Sequence, residues 1–372
     1  MAADKRGRKL PKGIRQKGKR FEGRVTYQEK TYSVYGDTVK EVQTKMTELS
    51  YKLEHGIFVE KHKITVNDWF ITWMKEYKKN RVKLSTYTEY EKRYNSLIKE
   101  KLGSRYLIDI RGEHIQKIYN ELAQKSYSNE TIDTVYTILN GCFKQAMRNG
   151  LIERNPVELA ELPRKKEKEV RQAMTKEQQD LFMKYAKDSW LYNLFALLLR
   201  TGLRSGEIRG LKYSDIDKKN SVIHVVRTLE YIDKIGHMED TPKTKTSKRD
   251  IPLTAATSQI IDSQKREWGI KIGNINGYMF VDETGKPLSS LRVRREMERI
   301  VKKIRKDGHE FPHITPHIFR HTFATRAIEN GMQPQVLKTI LGHSSLAMTM
   351  DLYSHVMADT KAEEMKKIDI AF

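Results

Sequence analysis

Two stretches near the end of the chain decide how the rest is read: Thr315-Pro316-His317-Ile318-Phe319-Arg320-His321-Thr322-Phe323-Ala324-Thr325 and, sixteen residues further on, residues 341–356, LGHSSLAMTMDLYSHV. In the first, His317 and Arg320 stand i,i+3 on a helix expected to open at Thr315-Pro316. That spacing presents an imidazole and a guanidinium side by side toward one anion. In the second, Tyr353 follows His343 by ten residues. Working upstream, TGLRSGE (residues 201–207) places Arg204 just after a helix end with glycine at the turn, and Glu207 three residues on as its candidate partner. A nucleophilic hydroxyl, two guanidinium groups and acid/base imidazoles match what phosphoryl transfer without a metal asks of side chains. One group attacks in line, positive charge stabilises the phosphorane, and an acid protonates the departing oxygen. Arginine suits the second task because its planar fork can hold two nonbridging oxygens at once.

The composition points the same way. The 372 residues suit two or three domains, and a formal charge of +22 implies attraction to phosphates with counterion release. An anionic membrane surface would call for an amphipathic basic helix. Here the basic residues are spread along the chain, so nucleic acid is the expected partner. The longest apolar run, residues 191–199, is too short to span a bilayer, and no hydrophobic signal region follows the basic first residues. The lone cysteine, Cys142, cannot form an internal disulfide, which fits a reducing cytoplasm, and it falls on an apolar helix stripe as a buried thiol. His309, His313, His317 and His321 recur every four residues, but Pro312 and Pro316 interrupt any single helix, so only His317 and His321 can share a face. No zinc site is expected there.

Three segments follow in order. Residues 5–24 carry ten Lys and Arg against one acid, Glu22, and run into strand-like alternation at 13–17, 21–27 and 31–35. A helix follows over about 38–53. This predicts a small three-stranded sheet plus one helix, with Arg15, Lys17, Lys19, Arg20 and Arg24 on or beside the exposed sheet face, which could enter a major groove. From about 63 the chain reads as four helices. Val66, Trp69, Phe70, Trp73 and Tyr77 form a core stripe, and the fourth helix runs from Asn129 to about Asn149. The charged stretch 163–171 reads as an interdomain linker. Beyond it a helix over about 175–201 is expected, then a short helix at 205–211 and a strand at 222–227. A polar turn region leads to a second strand near 248–253, and helices cover about 255–268, 289–306 and 316–330. The fold class is therefore α+β and multidomain, the last domain mainly helical with a small antiparallel sheet.

Together these motifs resemble the tyrosine recombinases, specifically phage and conjugative-element integrases of the lambda-integrase type. Arg204 in TGLRSGE matches the family's first arginine box, TPHIFRHTFAT supplies His317 and Arg320, and LGHSSLAMTMDLYSHV supplies His343 and the nucleophile Tyr353. The resemblance implies an arm-type DNA-binding domain at 1–56, a helical core-site domain at 63–160 and a catalytic domain at 172–372. It also implies a lysine on a hairpin as acid to the leaving 5′ oxygen. In TPKTKTSKR (residues 241–249) Lys245 is preferred and Lys243 is the runner-up. The expected activity is site-specific cleavage and rejoining of DNA through a 3′-phosphotyrosyl link, integrating and excising a mobile element with no cofactor and no metal. The implied partners are core- and arm-type attachment sites in double-stranded DNA, three further copies of the chain in a DNA-bound tetramer, and an excisionase or DNA-bending protein. The implied location is the bacterial cytoplasm. A type IB topoisomerase would use nearly the same groups, but it gives the basic sheet no purpose. A noncatalytic DNA-binding regulator leaves the three boxes unexplained.

Overall fold

The computed structural model describes residues 9–55, 63–166, 173–232, 235–240, 248–268 and 277–356. It divides into two compact units, Met1–Lys168 and Glu169–Phe372, with the boundary inside the charged stretch 163–171.

In the first unit, β1 (Ile14–Lys17), β2 (Arg20–Tyr27) and β3 (Lys30–Gly36) form an antiparallel sheet in the order β1-β2-β3, with Lys17 opposite Arg20 and Tyr27 opposite Lys30. α1 (Val39–Glu54) begins at Thr38, whose hydroxyl accepts the Glu41 N–H. The helix packs on the sheet at Gly23, where a Cβ would come within 2.5 Å of the Met46 sulfur and 2.6 Å of Val42. Only glycine lets the helix approach so closely. The helical module follows. α2 (Val66–Thr72) continues through a wider π turn, Trp73–Lys78. α3 (Leu84–Arg93) does the same through Tyr94–Ile98 into α4 (Lys99–Leu102). α5 (Gly112–Gln124) and α6 (Asn129–Arg148) complete it. The aromatic stripe is core, as its spacing predicts: Trp69, Phe70 and Trp73 are buried, Phe70 stacks on Tyr94 at 3.6 Å, and the Trp69 indole donates to the Cys142 carbonyl at 2.9 Å. Cys142 is buried among them, and burial pushes its thiol up.

The second unit differs from the sequence reading in three places. The single helix expected over 175–201 is two, α7 (Lys176–Ala186) and α8 (Tyr192–Thr201). Between them Ser189 turns its hydroxyl to the Leu191 N–H at 3.1 Å and donates to Glu296 at 2.5 Å, a local bond that competes with the helix ladder. After α9 (Ser205–Gly210) and the short β4 (Ile216–Asp217), the strand expected over 222–227 stops as β5 at Val222–Val225. Arg227 instead turns to pair with Asp215. The expected polar turn region is a hairpin of its own, β6 (Thr228–Ile232) with β7 (Gly236–Asp240), in a separate two-stranded sheet. β8 (Arg249–Pro252) then closes the order β4-β5-β8, all antiparallel. The helices α10 (Ala255–Trp268), α11 (Ser290–Lys306), α12 (Ile318–Glu329), α13 (Pro334–Leu341) and α14 (Ala347–Val356) complete the unit. α8 lies at its centre, with Leu194, Phe195, Leu197 and Leu198 fully buried and Phe195 stacked on Phe319 of α12 at 5.4 Å. This buried helix fixes where its C-terminal glycine, and hence Arg204, must fall. Among the described residues no helix is long and apolar enough to cross a membrane.

Candidate active site

α8 ends at Gly202 in the left-handed region, φ 61°. A Cβ there would sit 2.5 Å from the Phe323 ring and 2.9 Å from Leu341, so glycine is required by both the backbone and the approach of α12 and α13. The chain then extends to Arg204, the N-cap of α9. Glu207, at the third helical position, reaches back to it: one carboxylate oxygen accepts the Arg204 N–H at 2.8 Å and the other accepts its guanidinium, also at 2.8 Å. The i,i+3 partnership expected from the sequence is therefore real, and Glu207 is buried rather than a surface partner.

Three guanidinium groups meet at the C-terminus of α13. Arg249 donates to the Ile340 carbonyl at 2.5 Å, Arg320 to Leu341 at 2.7 Å and Arg204 to Gly342 at 3.0 Å. These successive carbonyls have no partner within their own helix, so the cations satisfy them and sit at the negative end of its dipole. Arg320 also donates to the Gly202 carbonyl at 2.9 Å, which ties the ends of α8 and α13 together. Arg249 forks onto both oxygens of Glu207 at 3.0 and 2.8 Å. Two arginines thus share the Glu207 carboxylate and Arg320 pairs only with carbonyls, leaving a surplus of positive charge among the described groups of the cluster. Burial, then the charge of Arg204, pulls the Arg320 guanidinium down to about 9. Arg320 is 4% exposed while the Arg204 side chain is 35% exposed, so Arg204 forms the open lip of the cluster.

His343 follows the αL glycine Gly342 that ends α13, and its Nδ1 lies 2.9 Å from the Thr349 hydroxyl on α14. Burial first, then Arg320, Arg204 and Arg249, lower its pKa to about 4, so the ring is neutral at pH 7. His317 occupies the N-cap of α12, which starts at Ile318, two residues later than the Pro316 start expected from the sequence. Its ring meets that of His321 edge-on at 5.0 Å, the shared face that the proline positions predict.

Tyr353 lies on α14, half-buried against a cluster containing Ala324, Ala327, Ile328, Leu337 and Leu341. Its hydroxyl is buried and has no hydrogen-bond partner, and burial raises its pKa. The structure therefore brings Arg204, Arg320 and His343 together, while the Tyr353 hydroxyl makes no hydrogen bond to any of them. Lys243 and Lys245 lie outside the described residues. In the first unit Arg15, Lys17, Arg20 and Arg24 are exposed and, by strand alternation, share one sheet face with Glu22, while Lys19 lies in the β1–β2 turn. Glu22 is buried beneath Arg15 and pairs with both Arg15 and Arg24, and Arg20 pairs with Asp37 at 3.0 Å.

The sequence reading missed Arg249. A signal existed: Arg249 and Ile251 stand two apart in a strand, so an inward-facing Ile251 turns Arg249 inward as well.

Comparison with known proteins gives the family. The phage integrase family matches residues 168–359, and the N-terminal SAM-like domain of phage integrases matches residues 65–123. The chain belongs to the phage integrase family and is a tyrosine recombinase. It is 28% identical over 362 residues to a XerC-like tyrosine recombinase of Caldanaerobacter subterraneus subsp. tengcongensis, covering 91% of each chain. Among solved structures it is similar to the Tn1549 transposon integrase in complex with a circular intermediate DNA, at 28% identity and TM-score 0.71, covering 82% of this chain and 99% of that one. A lambda integrase tetramer bound to a Holliday junction shares the fold at 21% identity and TM-score 0.60, covering 93% of this chain and 95% of that one.

Proposed function

We propose that the chain integrates and excises a mobile element by cleaving DNA at its attachment sites, with Arg204, Lys245, His317, Arg320, His343 and Tyr353 as the catalytic set. The observation that carries the assignment is the convergence of Arg204, Arg320 and His343 at one helix end, with more positive charge than Glu207 neutralises. A scissile phosphate supplies the missing anion. Arg204 and Arg320 clamp its nonbridging oxygens. One such preorganised donor is typically worth roughly 3–4 kcal/mol in the transition state. His343 acts as a neutral donor in the tautomer in which Nδ1 accepts from the Thr349 hydroxyl, 2.9 Å away, which leaves the proton on Nε2 to be offered to the phosphate.

Tyr353 attacks phosphorus, the bond to the 5′ oxygen breaks, and a 3′-phosphotyrosyl link forms. His317 takes the tyrosine proton, and Lys245, or Lys243 in its place, gives one to the departing oxygen. Attack by a 5′ hydroxyl of a partner duplex reverses the step, so the phosphodiester energy is kept and no nucleotide cofactor is consumed. The buried, unpartnered Tyr353 hydroxyl means that α14 must shift before attack.

The first sheet, with Arg15, Lys17, Lys19, Arg20 and Arg24, reads arm-type sites, and the helical module grips the core site. Exchange between paired sites calls for a tetramer on DNA, as in the lambda integrase assembly. An excisionase or bending protein would set the direction, and the work takes place in the cytoplasm on the bacterial nucleoid. The test is a nicked duplex spanning the junction of the integrated element with its flank. Wild type should trap as a covalent adduct and Tyr353→Phe should not. Equal adduct from both proteins sinks the assignment.

A further inference from the structure

None of the chemical steps above uses Arg249, yet its side chain is only 3% exposed and is paired with an equally buried Glu207. We propose that Arg249 is a positioning residue for strand cleavage: its fork locks the Glu207 carboxylate and its Nε anchors the Ile340 carbonyl, so that Arg204 and His343 are held where the scissile phosphate binds. This inference rests on the recombinase reading of the site.

The geometry is specific. Arg249 engages both oxygens of Glu207, and the same two oxygens hold the guanidinium and the backbone N–H of Arg204. Any rotation of the carboxylate therefore swings Arg204, and a bidentate partner on its other side is what prevents rotation. Without Arg249 the buried carboxylate would keep Arg204 as its one hydrogen-bonded cation. Arg204 would then close fully onto it, withdrawing from Gly342 and from any phosphate. The second contact acts on the helix. Ile340, Leu341 and Gly342 each accept from a different arginine, and Arg249 holds the first of the three. His343 is the next residue, so slack at Ile340 is passed directly to its ring.

The charged groups facing Glu207 are Arg204 from α9, Arg249 from β8 and Arg320 from α12, with His343 facing the arginines and His317 facing His343. Burial would raise the Glu207 carboxyl, and Arg249 is foremost among the groups that keep it ionised. A buried pair kept only for stability can often be replaced by neutral groups without loss. A pair that aims a catalytic arginine cannot.

The experiment is single-turnover cleavage of the nicked junction duplex by the full chain at saturating protein. Wild type, Arg249→Met, Arg249→Lys and the double variant Glu207→Gln/Arg249→Met are compared, with affinity read by mobility shift and folded fraction by circular dichroism. Arg249→Met should bind with wild-type affinity and cleave about 100-fold more slowly, the scale expected for a misplaced catalytic group. Its rate should also fall as pH is lowered, through a Glu207 titration that wild type and the double variant lack. Arg249→Lys, which keeps charge without the fork, should fall between. A cleavage loss that tracks the folded fraction, with the wild-type pH profile, overturns the proposal. If Arg249→Met does not fold, the double variant carries the test, because it removes the buried carboxylate together with its buried partner. There, cleavage about tenfold slower or more at unchanged affinity supports the proposal, and a wild-type rate overturns it. No adduct from wild type removes the recombinase reading and this inference together. Wild-type cleavage matched by Arg249→Met removes this inference alone.

Discussion

Glu207 holds Arg204 twice, accepting its backbone N–H with one carboxylate oxygen and its guanidinium with the other, both at 2.8 Å. The capping of α9 and the aim of Arg204 are therefore one event. Burial alone would raise this carboxyl, but the hydrogen bonds and charge of Arg249, then Arg204, outweigh it and hold it at about 2. Removing the carboxylate takes from the buried Arg249 the anion on which its fork closes. Glu207→Ala should lose about 3–5 kcal/mol of stability in urea unfolding. The contribution of the group is fully present above the ordinary carboxylate range and is lost as pH falls from there through about 2. A variant as stable as wild type at pH 7 would contradict this.

His343 is held neutral by burial and by the arginines around it, with a pKa of about 4. Its folded value lies below its unfolded one, so it costs stability as pH falls from the ordinary histidine range toward about 4 and costs nothing above that range. Ring-proton NMR of the DNA-free protein should show the His343 resonances constant from pH 8 to about 5.5. A midpoint near the ordinary histidine value would mean that the arginines do not face it as described.

Gly202 combines a φ of 61° with close approach to Phe323 and Leu341. Gly202→Ala should destabilise the second unit by about 2–6 kcal/mol, since backbone strain and overpacking each contribute about 1–3 kcal/mol. Because the Gly202 carbonyl also holds Arg320, cleavage should fall further than the folded fraction does. Thermal unfolding and single-turnover cleavage on the same samples separate the two effects.

The positions of Arg204 and His343 were legible because each follows a backbone signal. Gly202 and Gly342 end helices, so Arg204 and His343 fall at defined places after them. The first sheet was legible from alternation, and the aromatic stripe of α2 from its period. Arg249 was not, because a charged residue beside a polar turn reads as surface unless the facing carboxylate is known, and Glu207 lies 42 residues away in the chain. The hairpin β6–β7 was missed for a related reason. It is fixed by side chains outside itself: Glu239 takes Lys212 at 2.6 Å and the Tyr278 hydroxyl at 2.5 Å, contacts that no local pattern announces. The break at Ser189 likewise depends on Glu296 from α11.

The Tyr353 hydroxyl is buried without a partner, so its polarity is a cost to the resting fold. Tyr353→Phe should therefore unfold at the same or a higher temperature than wild type, with a gain of up to about 1 kcal/mol. A clear loss of stability would show that the hydroxyl is bonded in solution, and that α14 does not rest as described.

The central claim is that Tyr353 becomes covalently joined to a 3′ phosphate of the cleaved strand. The direct measurement is mass spectrometry of the adduct trapped on the nicked junction duplex, after digestion with protease and nuclease. The predicted result is a nucleotide attached through its 3′ phosphate to Tyr353, with a free 5′ hydroxyl on the departing strand. A nucleotide on any other residue, or one attached through its 5′ phosphate, would contradict the account.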